Sequence, residues 1–141
     1  MYDEAISEYR KSIAIDDRDP GILAKLGILL DRMGRSREAV APLTEAARLD
    51  PGNASLRNYL GMVLATVGRP NEAVAQLEAA IRLKRDFREA HIRLGNVLSA
   101  LGRIGEAEVQ FSVDKQTGHG SPDSRPKLPA ASPFVDAPRK E

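Results

Sequence analysis

Few side chains in this sequence could carry chemistry, and their spacing argues against it. The two histidines, His91 and His119, fall in a helical stretch and in a proline-rich tail, so local spacing does not pair them as metal ligands. His91 is read as an ordinary inter-helix packing or surface histidine, not a catalytic one. With no cysteine in the chain, disulfides, thiolate zinc sites and cysteine nucleophiles are excluded. No Gly-x4-Gly-Lys-Ser/Thr or Gly-x-Gly-x2-Gly run follows a strand, because no strand is expected. The only regular carboxylates are Glu4, Glu38, Glu72 and Glu106. Each falls at a helix start, where the positive end of the macrodipole favours it, and the column is read as helix-start charge. Asn53-Ala54-Ser55 would be a glycosylation sequon only in a secretory setting. No catalytic residue, metal or cofactor is expected, and the chain is read as a non-enzyme.

The elements that must position these residues follow from a repeat. Leu26-Gly27, Leu60-Gly61 and Leu94-Gly95 recur every 34 residues, and so do Ala5, Ala39, Ala73 and Ala107. Four residues after each alanine stands Tyr9, Leu43, Leu77 or Phe111, and three of the alanines are preceded by the dipeptide Gly34-Arg35, Gly68-Arg69 or Gly102-Arg103. Apolar residues within a unit recur at helical spacing, for example Leu26, Leu29, Leu30 and Met33, then Ala39, Val40, Leu43, Ala46 and Ala47. Each unit is therefore two helices joined by a Gly-Arg turn. Asp19 is placed to cap a helix beginning at Pro20, Asn53 the next, and Asp86 or a close neighbour the third, while Pro70 suits a first helical turn. Gly34, Gly68 and Gly102 are placed to end helices in the left-handed conformation. A glycine inside a helix costs about 1 kcal/mol relative to alanine, so Gly27, Gly61 and Gly95 imply close helix approach. Pro42, inside a second helix, removes a backbone donor and is expected to bend it near Glu38.

This pattern resembles the tetratricopeptide repeat. The family's Leu-Gly, large apolar, Ala-x3-large apolar and Pro positions fall on Leu26, Gly27, Leu30, Ala39, Leu43 and Pro51. The next unit has Leu60, Gly61, Leu64, Ala73 and Leu77, and the last has Leu94, Gly95, Leu98, Ala107 and Phe111. The family's Trp position holds Leu23, Arg57 and His91, its Tyr position is Leu throughout, and its Pro is replaced by Asp17 and Arg85. The resemblance implies an all-α fold, a right-handed α-solenoid of stacked antiparallel helix hairpins. Residues 1–19 are then the second helix of a truncated first repeat. Residues 20–53, 54–87 and 88–116 are repeats, and 117–141, with Pro122, Pro126, Pro129, Pro133 and Pro138, form a disordered tail.

The resemblance also implies a concave groove lined by the first helices that takes a protein or peptide partner. Carried over unit by unit, its rows are Ala24/Asn58/Ile92, Ile28/Met62/Asn96 and Asp31/Ala65/Ser99, flanked by Lys25/Tyr59/Arg93. Such a mixed apolar and amide stripe suits a segment with apolar anchors, its backbone hydrogen-bonded by asparagine side chains. Chaperone-binding members of the family hold a C-terminal carboxylate at positions matching Ala24, Ile28, Tyr59, Glu89 and Arg93. Only Arg93 fits, so that specialisation is not expected.

A net charge of +1, from 21 basic and 20 acidic side chains, gives no field arguing for nucleic acid or an anionic membrane. No window approaches the roughly 18 apolar residues of a membrane span, and Met1-Tyr2-Asp3-Glu4 opens with acid where a secretory signal is basic. The cytoplasm is the expected compartment. Met1 falls where a second helix begins, leaving Ala5, Ile6, Ile13 and Ile15 without an upstream partner, which points to a piece of a longer array or to a native terminal helix. The uncovered helix gives a motive for self-association. At the other end, Glu108, Asp114 and Lys115 replace apolar positions of earlier units, as a final helix requires. The expected function is a protein-interaction scaffold. The alternative is an accessory, non-catalytic repeat region of an enzyme such as a glycosyltransferase or sulfotransferase.

Overall fold

The computed structural model describes residues 1–16 and 18–116. The expected tail at 117–141 therefore lies outside the described residues. Among those residues are seven helices and no strand: α1 (Tyr2–Ile15), α2 (Pro20–Arg32), α3 (Ser36–Leu49), α4 (Ala54–Thr66), α5 (Pro70–Leu83), α6 (Arg88–Ala100) and α7 (Ile104–Gln116). Helices of 13 or 14 residues are marginal alone in water, so burial must hold them. The chain pairs α2 with α3, α4 with α5 and α6 with α7 as hairpins, and joins hairpins through α3 on α4 and α5 on α6. Direct contact of α4 with α6 marks α2, α4 and α6 as one layer, with α3, α5 and α7 as the other.

The turn inside each hairpin repeats in detail. Gly34, Gly68 and Gly102 have φ of 78°, 84° and 79°, the left-handed region that an L side chain rarely adopts. The Gly34 amide donates to the Asp31 carbonyl at 2.9 Å and the Arg35 amide to the Leu30 carbonyl at 2.8 Å, the paired bonds of a Schellman helix end. Gly68 with Arg69, and Gly102 with Arg103, make the same bonds to Ala65, Leu64, Ser99 and Leu98. Each arginine then serves at once as N-cap position of the next helix, as Arg35 and Arg69 do for α3 and α5.

Two of the expected caps are present. Asp19 accepts from the Gly21 and Ile22 amides at the start of α2, and Asn53 accepts from Leu56 at the start of α4. The third helix start differs: α6 has Phe87 at its N-cap position with no side-chain bond. Burial of that ring, 8% exposed, anchors the entry where a polar cap does so in the earlier units. Pro70 opens α5. Pro42 lies inside α3, which runs unbroken from Ser36 to Leu49.

Within each hairpin a glycine on the first helix faces a large side chain on the second. A Cβ on Gly61 would lie 2.6 Å from Leu77 Cγ and 3.3 Å from the Ala73 carbonyl oxygen; Gly27 meets Leu43 and Gly95 meets Phe111 in the same way. Ala39, Ala73, Ala107, Leu43 and Leu77 have no exposed surface, and Phe111 has 1%. Their counterparts on α1, Ala5 and Tyr9, stay partly exposed, and Tyr2 beside them is 62% exposed. No described helix covers that flank of α1.

Gly61→Ala should therefore cost about 1–3 kcal/mol through overpacking, read as a lowered denaturant midpoint. Adding Leu77→Ala, which destabilises by itself, should recover part of the Gly61→Ala effect in a double-mutant cycle. Additive losses would show that the glycine and the leucine do not compete for one space.

Candidate functional site

The inner layer presents its side chains in rows set by the 34-residue period. Ile28, Met62 and Ile92 are partly exposed on α2, α4 and α6, with Ala24 and Ala65 beside them. Lys25 and Asn96 are exposed and Arg93 is partly exposed. Asn58 is different, being 6% exposed with no hydrogen-bond partner for its Oδ1 among the described residues. An unpaired acceptor of this kind costs about 1–3 kcal/mol. Its side chain lies within the packing, whereas Asn96 offers its amide at the surface. Ser99 Oγ on α6 is likewise enclosed and unpaired.

Tyr59, read from the sequence as a groove residue, has a second role. Its hydroxyl donates to Asp31 Oδ2 at 2.8 Å, while Ser36 donates to Asp31 Oδ1 at 2.6 Å. One carboxylate thus ties α4 to α2 and α2 to the start of α3. Burial and, next, the bond to Asp31 push the Tyr59 pKa up to about 12; Arg32 and Arg93 oppose the shift. Those two guanidiniums therefore stand near the hydroxyl, on α2 and α6. The pairing of a tyrosine with an aspartate 28 residues upstream could be read from the sequence only after the helices had been placed in space.

The family's Trp column carries another unexpected set of bonds. Arg57 donates from Nη1 to Gln76 at 3.0 Å and from Nε to the Pro51 carbonyl at 3.2 Å. One repeat later, His91 Nδ1 meets Gln110 at 2.8 Å and Nε2 meets the Arg85 carbonyl at 2.9 Å. Because the carbonyl only accepts, Nε2 carries a hydrogen. A neutral ring then requires the Gln110 amide group to point its NH2 at Nδ1, and an imidazolium requires its oxygen. In the first hairpin the matching pair is Leu23 and Pro42, which explains what Pro42 replaces: a glutamine whose hydrogen-bonding partner is absent. The signal was present in the sequence as polar-with-Gln and apolar-with-Pro at fixed spacing. His91 is 5% exposed, which places it in the packing and not on the surface.

The glutamate column is bound by the turn arginines. Arg35, Arg69 and Arg103 each donate twice, at 2.6 to 2.7 Å, to Glu38, Glu72 and Glu106. These bonds hold the three carboxyls below the usual range. Two shallow depressions lie off the inner rows, one along α1 with Asp3, Ile6, Arg10 and Arg35, and one at the α2–α3 turn. Among the described residues no group of His, Cys, Asp or Glu could hold a metal ion, and no helix is long and apolar enough to cross a membrane.

The tetratricopeptide repeat family model matches residues 24–70 and 63–111, and the chain belongs to that family. Its fold is the right-handed α-solenoid of stacked helix hairpins. No curated protein matches it. Among solved structures, it is similar to MamA at 26% identity and a TM-score of 0.78, over 80% of this chain and 66% of that one. It is similar to YrrB, described as a TPR protein with an unusual peptide-binding site, at 26% identity and a TM-score of 0.75, over 84% of this chain and 62% of that one. The chain thus spans just under two thirds of the length of these relatives.

Two consequences are measurable. His91→Leu or Gln110→Leu alone should cost about 1–3 kcal/mol by stranding a buried partner. The double variant, recreating the apolar pairing of the first hairpin, should cost less than the sum. Strict additivity in chemical denaturation would dissolve the pair. For Tyr59, the folded pKa of about 12 exceeds the reference value of 10.0, so its contribution to stability is complete below pH 10 and is lost as pH rises through 12. Tyr59→Phe should flatten that part of the stability profile and remove the tyrosinate absorbance appearing near pH 12. An unchanged profile would mean the hydroxyl is not held by Asp31.

Proposed function

We propose that this chain is a non-catalytic protein-interaction scaffold that holds a peptide or protein segment against the inner face of α2, α4 and α6. The observation that carries this reading is the partial exposure of Ile28 and Met62, in one row on α2 and α4, and of Ile92 in the adjacent row on α6. Ile28 and Met62 pack on the core from one side, and the apolar area they leave exposed is what a bound segment would bury, at about 25 cal/mol per Å². Lys25, Arg93 and Asn96 line the edges of that area with polar groups, as the rim of a binding surface requires. The peptide-binding site of YrrB supports peptide as the ligand class. The proposed contact residues are Ala24, Lys25, Ile28, Tyr59, Met62, Ile92, Arg93 and Asn96, with Asn58 behind them.

Affinity capture should compare the native chain with Ile28→Glu/Met62→Glu, after circular dichroism shows equal helicity. A partner captured by the native chain should fall at least about tenfold with the double variant, the scale expected when central apolar anchors are lost. Equal capture by both would remove the inner face from consideration.

A further inference from the structure

The joints between hairpins are built differently, and the difference assigns a chemistry to the occupant of the inner face. At the first joint, Tyr59 of α4 reaches Asp31 of α2. One repeat later the same two positions hold Arg93 of α6 and Ala65 of α4. The second joint therefore has a guanidinium at the tyrosine position and a methyl group at the aspartate position. Arg93 is partly buried, and among the described residues it makes no ion pair with Glu89, four residues before it on α6, or with any other carboxylate. Arg32 and Lys25 on α2 are also without an ion-pair partner there, whereas the turn arginines and Arg48 are each engaged by a glutamate. Asp31, the carboxylate nearest to Arg32 in sequence, already accepts from both Tyr59 and Ser36.

A half-buried guanidinium gains most from a carboxylate that meets its planar fork with two hydrogen bonds. Every cation on the hairpin turns has such a partner supplied by the fold; the one at the second joint does not. We infer that the segment bound on the inner face is acidic, presenting a side-chain carboxylate to Arg93 at the α4/α6 joint, with Arg32 adding charge from α2 and apolar side chains seated on Ile28, Met62 and Ile92. The inference rests on the inner-face binding proposed above. It differs from the capture of a chain-terminal carboxylate, for which four of the five matching positions are wrong in this sequence.

Three pools of synthetic peptides test it. Each peptide has about twelve residues, degenerate among Leu, Ile, Val, Phe and Met at alternate positions, and the pools differ only in a central Glu, Gln or Lys. The native full chain should capture the Glu pool about tenfold over the Gln pool, the scale of one charge-assisted pair, and the Lys pool least. Arg93→Gln should erase that preference, so that the Glu pool is captured no better than the Gln pool. Ala65→Asp, which places in the second joint the carboxylate that Asp31 places in the first, should erase it too by engaging Arg93 internally. Equal capture of Glu and Gln pools by the native chain, with both lost in Ile28→Glu/Met62→Glu, would overturn the acidic assignment and leave the inner-face reading standing. A Glu preference that survives both Arg93→Gln and Ala65→Asp would overturn it as well. Capture of none of the pools by the native chain would overturn both.

Discussion

The hairpins depend on a glycine packed directly against a large side chain of the partner helix. Gly27 under Leu43, Gly61 under Leu77 and Gly95 under Phe111 leave no room for a Cβ, and that distance sets how near the two helices of a hairpin can lie. Fully buried Ala39, Ala73 and Ala107 complete the same close seam. Because helices this short do not persist alone, the seam determines whether there is a hairpin at all. The position of every inner-face residue follows from it. Ile28 follows Gly27 by one residue, and Met62 and Asn96 follow Gly61 and Gly95 in the same way. A change in hairpin spacing would therefore shift the row proposed to meet the ligand.

Much of this was legible in the sequence because it is local or periodic. The left-handed turn glycines, the caps at Asp19 and Asn53, and the demand for close approach at Gly61 all follow from one residue's backbone requirements or from a 34-residue period. What was not legible depends on partners brought together from separate elements. Asp86 or a close neighbour is expected to cap the third helix, and the position falls to Phe87, whose buried ring has no acceptor to offer. Tyr59 reads as a groove side chain until α2 is in place, when its hydroxyl turns out to be committed to Asp31. The Arg-x2-Glu pairs of the turns, by contrast, stand at constant spacing in the sequence as Arg35/Glu38, Arg69/Glu72 and Arg103/Glu106.

The repeats are alike in backbone and unlike in side chains, both within hairpins and at the joints between them. One column runs Leu23, Arg57, His91 and a second runs Pro42, Gln76, Gln110, so hydrogen-bonding capacity is kept matched within a hairpin even as the residues change. The joint column does not keep that match: Asp31 with Tyr59 becomes Ala65 with Arg93. A repeat array can vary such positions singly because each unit contacts only its neighbours. Matching within hairpins keeps buried polar groups paired, and the joints between hairpins are not held to that rule.

The turns described above, in which one arginine closes a helix and opens the next, also govern how the array would respond to force. With the Schellman bonds, the glycine seam and the Arg–Glu fork all inside a hairpin, each hairpin is the stiff part of a spring. Stretching or bending is then taken up at the joints, and unequally, since the first is latched through Tyr59 and the second is not. Bending at the first joint must therefore strain the Tyr59–Asp31 bond, whereas bending at the second works against the packing of α6 on α4 and α5.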